Sequence, residues 1–203
     1  MIDEGGSILS IKLVSNRLYL EPFTSQDAER TTELADDEKL ASILGLPHPY
    51  KLKFAEGWID SQPDLIRKGE EYPLKIVSKE IQAMIGTITL RIDKTNRKGE
   101  LGYWIGSTYW GYGFATEAVK RMIEFGFKDL ELHKIGASVL CRNVISQKVL
   151  QKAGLVKEGM LREDRRLLGK FEDIYVYGIL KSEYLSTLND NGCSCSNSKG
   201  SFR

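Results

Sequence analysis

Residues 100–140 constrain the fold more than any other stretch of this chain. They read as a strand (100–105), a turn carrying glycines, a helix (116–127) and a second strand (134–140). Two strands joined this way can lie parallel in one sheet with a right-handed crossover. The helix puts Ala118, Val119, Met122, Ile123 and Phe127 on one side, the spacing of a face that packs on a sheet. Upstream, residues 72–78, 83–92 and 100–105 are strand-like and are separated by polar turns at 79–82 and 93–99. Short turns of that kind predict an antiparallel meander. One sheet holding both kinds of pairing follows.

The flanking segments extend this pattern. Residues 17–23 alternate apolar and polar and predict a strand. Thr24 then precedes 25–35, with Asp27 three residues on, a capping-box start for a helix. Two prolines and a glycine make 45–51 a loop, and a second helix is expected over about 53–68. After the strand at 134–140 come a helix at 146–153, stopped by Gly154, and closing strands at 155–161 and 171–180. The order is strand, two helices, three strands, helix, strand, helix, two strands. It predicts a single α+β (α/β) domain over residues 1–185, with a mixed, mostly antiparallel central sheet and helices on both faces. Residues 186–203 are polar and aromatic-poor and are expected to form a disordered tail.

Composition narrows the function classes. A chain of 203 residues suits one core, and a formal net charge of +1 gives no ground for direct nucleic-acid binding. Nowhere do eighteen apolar residues run together, so no membrane span is expected, and no secretory signal is visible at residues 1–10. The cysteines, Cys141, Cys193 and Cys195, are odd in number and form no spaced framework, which points to a reducing compartment such as the cytoplasm. Cys193-x-Cys195 is a pair without a third ligand nearby, so no metal is expected.

The turn at 106–115 is where chemistry can enter. Trp110-Gly111-Tyr112-Gly113-Phe114-Ala115-Thr116 leads from strand to helix. Glycines let backbone approach a ligand with no Cβ in the way. A helix N-terminus offers unpaired N–H groups and the positive end of its dipole to a phosphate. A tight turn that binds nothing would look similar. A dinucleotide site is the nearest rival, since Gly111-x-Gly113 follows a strand and Glu131 lies about twenty residues on. It fails because position 116 is Thr116, not a third glycine, and Glu131 precedes the next strand instead of ending it.

The string GELGYWIGSTYWGYGFATEAVKRMIEFGF resembles the acetyl-CoA segment of the GNAT superfamily of N-acetyltransferases. That family's pyrophosphate loop has the pattern Arg/Gln-x-x-Gly-x-Gly/Ala. Here Gly113-x-Ala115 matches its end, while Trp110 stands where Arg or Gln is usual. That departure is similar to the RimJ/RimL-type branch of ribosomal-protein N-terminal acetyltransferases. A second string, from Asn143 through Ser146 to Ala153-Gly154-Leu155, is similar to that branch's Asn-x-x-Ser…Ala-Gly-Phe element.

The resemblance implies direct transfer of an acetyl group from acetyl-CoA to a primary amine, with no acyl-enzyme. It implies backbone pairing of Tyr103, Trp104 and Ile105 with the pantetheine arm, and phosphate binding over Trp110, Gly111, Tyr112, Gly113, Phe114, Ala115 and Thr116. Glu100 is the expected general base, directly or through water; a solvated turn residue is the alternative. Ser146 could donate a hydrogen bond to the leaving thiolate and Asn143 could hold the pantetheine amide, though both residue types also cap helices. His48 and His133 are expected to be structural or surface residues, and Asp173 to orient neighbouring groups. Cys141 has no obvious base partner. The branch implies a protein α-amine as acceptor, with polyamines, antibiotics and amino acids as alternatives. Glu56, Asp60 and Asp64 recur every fourth residue and predict either a solvated helix face or a border for a cationic acceptor. A degenerate acyl-CoA-binding module and a homodimer both stay open.

Overall fold

A computed structural model describes residues 11–192. The chain enters through β1 (Leu13–Val14) and β2 (Leu18–Glu21), then a short 3-10 turn at Ser25–Asp27 and helices α1 (Ala28–Ala35), α2 (Glu38–Leu44) and α3 (Leu52–Lys68). The meander follows as β3 (Glu71–Ser78), β4 (Ala83–Asp93) and β5 (Lys98–Ile105). Next come α4 (Phe114–Lys128), β6 (Lys134–Leu140), α5 (Val144–Lys152), β7 (Val156–Leu167), β8 (Lys170–Leu180) and α6 (Lys181–Gly192). All eight strands share one sheet in the order β1-β2-β3-β4-β5-β6-β8-β7. Only β5 and β6 run parallel; the other pairs are antiparallel. The expected mixed sheet is therefore present.

Two apolar layers hold it. On one face α4 buries Ala118, Val119, Met122 and Ile123 against Leu74, Ile88, Leu90, Leu101 and Ile135. On the other, Ala55 and Ile59 of α3 meet Phe23, Ala28, Leu34 and Met84. Truncating a side chain such as Met122 in the first layer would cost roughly 2–5 kcal/mol. No helix among the described residues is long and apolar enough to cross a membrane.

Four expectations need correction. The sequence reading missed α2, whose seven residues are too few to show a period; Asp37 starts it by accepting the Leu40 N–H at 3.0 Å, and Gly45 ends it at φ 73°. It also missed β1, two residues that pair with β2. Helix α4 begins at Phe114 and not at 116, because Gly113 in the left-handed region already serves as its N-cap. Finally, α6 carries helix through 186–192, part of the expected disordered tail. Tyr184 gives it a foothold, its ring 5.2 Å from that of Phe127. Cys193 and Cys195 lie outside the described residues.

One glycine fixes the shape of the sheet near the loop. A Cβ at Gly86 of β4 would fall within contact distance of the Trp104 carbonyl oxygen and 2.9 Å from the Ile105 Cα. Both are backbone atoms and cannot swing aside. Gly86→Ala should therefore push β4 from β5, at the ~1–3 kcal/mol typical of overpacking. The expected result is a melting midpoint lower by several degrees in a thermal scan; an unchanged midpoint would show that the strands can part without cost.

Candidate active site

The parallel pairing of β5 and β6 is short. It runs from Lys98↔Lys134 to Leu101↔Ala137 and stops, although β5 continues to Ile105 along β4 and β6 continues to Leu140 along β8. The sheet is split between them from Gly102 onward. Beyond that point the β6 side of the Tyr103–Ile105 backbone has no strand partner among the described residues, and only the Ile105 carbonyl on it is taken, by the Trp110 indole N–H; an extended ligand can join this edge as a strand does.

At the wide end of this split stands the start of α4. Gly111 and Gly113 have φ of 87° and 79°, values that a side chain makes costly. No side chain caps the helix. Among the described residues the N–H groups of residues 111–116 have no protein acceptor. Six adjacent donors at a positive dipole end fit a pyrophosphate without any lysine. Trp110 does not point its indole N–H at that space; it donates to the Ile105 carbonyl at 2.6 Å and braces the turn. Tyr112 is exposed and its ring stacks on Phe114 at 6.0 Å.

Sequence profiles and solved structures decide what such a site belongs to. The profile of the acetyltransferase (GNAT) domain matches residues 17–156. This chain is a member of the GNAT family. The N-acetyltransferase p20 of Bacillus licheniformis is 33% identical over 173 residues, covering 85% of this chain and 97% of that one. The spermidine N(1)-acetyltransferase of Vibrio cholerae is 30% identical over 112 residues, 55% of this chain and 65% of that one. Among solved structures, RimL, a ribosomal α-N-protein acetyltransferase in complex with coenzyme A, superposes with a TM-score of 0.77 at 17% identity, covering 83% and 97%. The protein is an acetyl-CoA-dependent N-acetyltransferase.

Within this GNAT domain the expected residues fall into two groups on opposite sides of the sheet. Glu100 lies where β5 and β6 are still paired, opposite Gly136. The Ser138 hydroxyl donates to Glu100 Oε1 at 2.9 Å and Lys98 Nζ stands 3.9 Å from Oε2. Alternation along β5 puts Glu100 on the side of Trp104, which packs toward α3. Tyr103 points the other way, into the layer shared with α4. Its hydroxyl is 2.8 Å from Ser146 Oγ. Asn143 is the N-cap of α5, its Oδ1 accepting the Ser146 N–H at 3.1 Å; its side-chain amide N–H groups have no partner among the described residues.

Other residues make contacts within the scaffold. His48 pairs with Asp36 at 3.1 Å. His133 ties β6 to its neighbours through its backbone, donating to Arg97 and accepting from Lys181. Asp173 Oδ1 accepts the Glu163 N–H at 2.8 Å and holds a bulge in β7. Burial pushes the Cys141 thiol up, and the Asp173 carboxylate adds to that, so the thiol stays protonated and is a poor nucleophile.

Sequence reasoning missed the latch on the loop. Arg17, in the β1–β2 turn, donates through Nη1 to the Tyr112 carbonyl at 3.0 Å and through Nε to Glu117 Oε2 at 2.7 Å. Its guanidinium lies 4.7 Å from the centre of the Phe114 ring. Burial alone would raise the Glu117 carboxyl, but hydrogen bonds from the Arg17 N–H, the Ser15 hydroxyl and the Arg17 guanidinium outweigh it and hold it below the usual value. Asp37 adds a second tie, accepting the Ser107 hydroxyl at 2.5 Å. Arg17 is about a hundred residues from its partners and Asp37 is seventy from Ser107, and no local pattern announces either.

Proposed function

We propose that this enzyme acetylates a protein N-terminal α-amine. The observation that carries the cofactor part is the uncapped, glycine-bearing start of α4 set beside the free edge of β5. Residues 110–116 would hold the phosphates, the backbone of Tyr103, Trp104 and Ile105 the pantetheine arm, and the Asn143 amide a pantetheine carbonyl. Acetyl-CoA supplies the acetyl group as a thioester, already activated for attack by an amine.

The chain's own residues then divide the work. Glu100 takes the proton that the amine must lose, directly or through a water, with one carboxylate oxygen oriented by Ser138. N–H groups on the free edge of β5 are positioned to polarise a carbonyl in the split. The Ser146 hydroxyl, on the opposite side, donates to the departing sulfur. An α-amine suits a carboxylate base, since its pKa of ~7.7–8.0 lies well below the ~10.4 of a lysine.

The acceptor reading draws on the motifs shared with the RimJ/RimL branch. An open hollow of about 750 Å³, lined by Met160, Leu161, Arg162, Glu163 and Asp173 among others, lies beside the bulge in β7, and this reading would seat the polypeptide there. It sits at the C-terminal end of β6, where the Asp173 carbonyl accepts the Cys141 N–H at 3.0 Å. A polyamine is the second reading, favoured by the spermidine-acetylating relative. The acidic row that would draw a polyamine lies on an exposed face of α3, with Glu56 and Asp60 facing solvent and Asp64 paired with Arg67 at 2.5 Å. The deciding assay compares N-terminal peptides with spermidine, amino sugars and amino acids at equal acetyl-CoA. Turnover of peptides is expected; robust turnover of a small amine with none of any peptide would overturn the acceptor reading and leave the cofactor site standing.

A further inference from the structure

The pair of hydroxyls above the split has a direction. We propose that Tyr103 is the donor in this pair, turning the Ser146 proton toward the leaving sulfur, so that Tyr103 is a positioning residue for acetyl transfer. This rests on the leaving-group role given to Ser146.

A hydroxyl has one proton and two lone pairs. If Ser146 gives its proton to Tyr103, it has none for the sulfur. Three features favour the opposite arrangement. First, a phenol is a stronger acid than an aliphatic alcohol, so it is the better donor and the serine oxygen the better acceptor. Second, the Tyr103 hydroxyl faces two acceptors on the same residue, Ser146 Oγ at 2.8 Å and the Ser146 carbonyl at 3.3 Å. Third, both partners are held. The Tyr103 ring packs against the layer containing Leu101 and Ile105, and Ser146 is fixed in the first turn of α5 by its N–H bond to Asn143.

Burial pushes the Tyr103 phenol up to about 12, with the Ser146 hydrogen bond working in the other direction. The phenol therefore keeps its proton across the neutral range and remains a donor throughout. No proton leaves Tyr103 and no bond to it is made or broken. It orients Ser146, whose hydrogen bond stabilises the thiolate, while the proton shed by the amine nitrogen goes to Glu100 or water.

The test uses Tyr103→Phe, Ser146→Ala and the double variant of the full chain, with two readouts. One is single-turnover transfer from acetyl-CoA. The other is the titration of the thiol of bound coenzyme A, followed by the ultraviolet absorbance of the thiolate. Tyr103→Phe is expected to slow transfer roughly ten- to a hundredfold, the scale of a hydrogen bond to a charged group. The bound thiol should titrate about one unit higher, with the calorimetric affinity for acetyl-CoA little changed. Adding Tyr103→Phe to Ser146→Ala should change neither readout further, since Tyr103 acts through Ser146. If Ser146→Ala shifts both readouts and Tyr103→Phe shifts neither, the inference is overturned while the role of Ser146 stands. An equal effect of Tyr103→Phe with and without Ser146 overturns it as well. If Ser146→Ala itself shifts neither, the leaving-group reading falls and takes the inference with it.

Discussion

Glu100→Gln is expected to slow acetyl transfer by ~10²–10⁴-fold, the contribution typical of a positioned base, while acetyl-CoA binds as in the parent. The glutamine keeps the volume of the side chain and can still accept from Ser138, whose hydroxyl lies 2.9 Å from Glu100 Oε1. It loses the charge that faces Lys98 at 3.9 Å and the ability to take a proton at working pH. Cofactor affinity should be spared because Glu100 sits at the closed end of the split, on the far side of the sheet from the Tyr103–Ser146 pair. Rate measured against pH, with calorimetry of acetyl-CoA binding, separates the two effects. A variant whose pH–rate profile matched the parent would remove Glu100 from the chemistry.

Gly113→Val should weaken acetyl-CoA binding by more than about tenfold, since forcing a side chain into the left-handed region costs ~1–2 kcal/mol before any steric clash with the ligand. Gly113 has φ 79° and is the N-cap of α4. Valine, branched at Cβ, is among the residues least able to follow. Relaxing the strain would turn the N–H groups of 111–116 away from a common point. The fold should survive, because a Cβ there meets only the end of Arg17 at 3.6 Å. Calorimetry with acetyl-CoA measures the loss. Binding as tight as in the parent would show that the phosphates do not sit on this loop.

Much of this arrangement was legible because it is local. The β5–α4–β6 unit is written in apolar spacing and glycine placement, and the strand at Lys134–Leu140 has the bounds its residues predict. The capping box is equally local: the Thr24 N–H donates to Asp27 Oδ2 at 2.7 Å. What the sequence hid depends on distant partners or on very short elements. Helix α2 is held by Asp37, which also reaches Ser107, seventy residues away. Arg17 meets Glu117 across a hundred residues, and the residues flanking Arg17 carry no sign of it. Tyr103 was expected to serve through its backbone; that its hydroxyl meets Ser146 follows from how α5 packs over the split, which periodicity cannot express. Asn143 was expected to cap a helix or hold a ligand, and its two ends leave room for both, since Oδ1 caps and the amide N–H groups have no partner among the described residues.

The bulge in β7 bears on how this sheet ends. An outermost strand of twelve residues displays backbone donors and acceptors that a strand from another chain could copy, the usual route to runaway edge-to-edge growth. Here the ladder with β8 jumps from Leu161↔Ile174 to Arg165↔Glu172, leaving three residues of β7 opposite Asp173 alone. Glu163 adopts φ 52° within that gap, bending the strand, and Arg162, Asp164, Arg165 and Arg166 crowd it with charge. An incoming strand would meet a first irregularity between Lys157 and Gly159 and could not continue in register past the bend. The long edge is thereby cut into short pieces, each a poor template for continued growth.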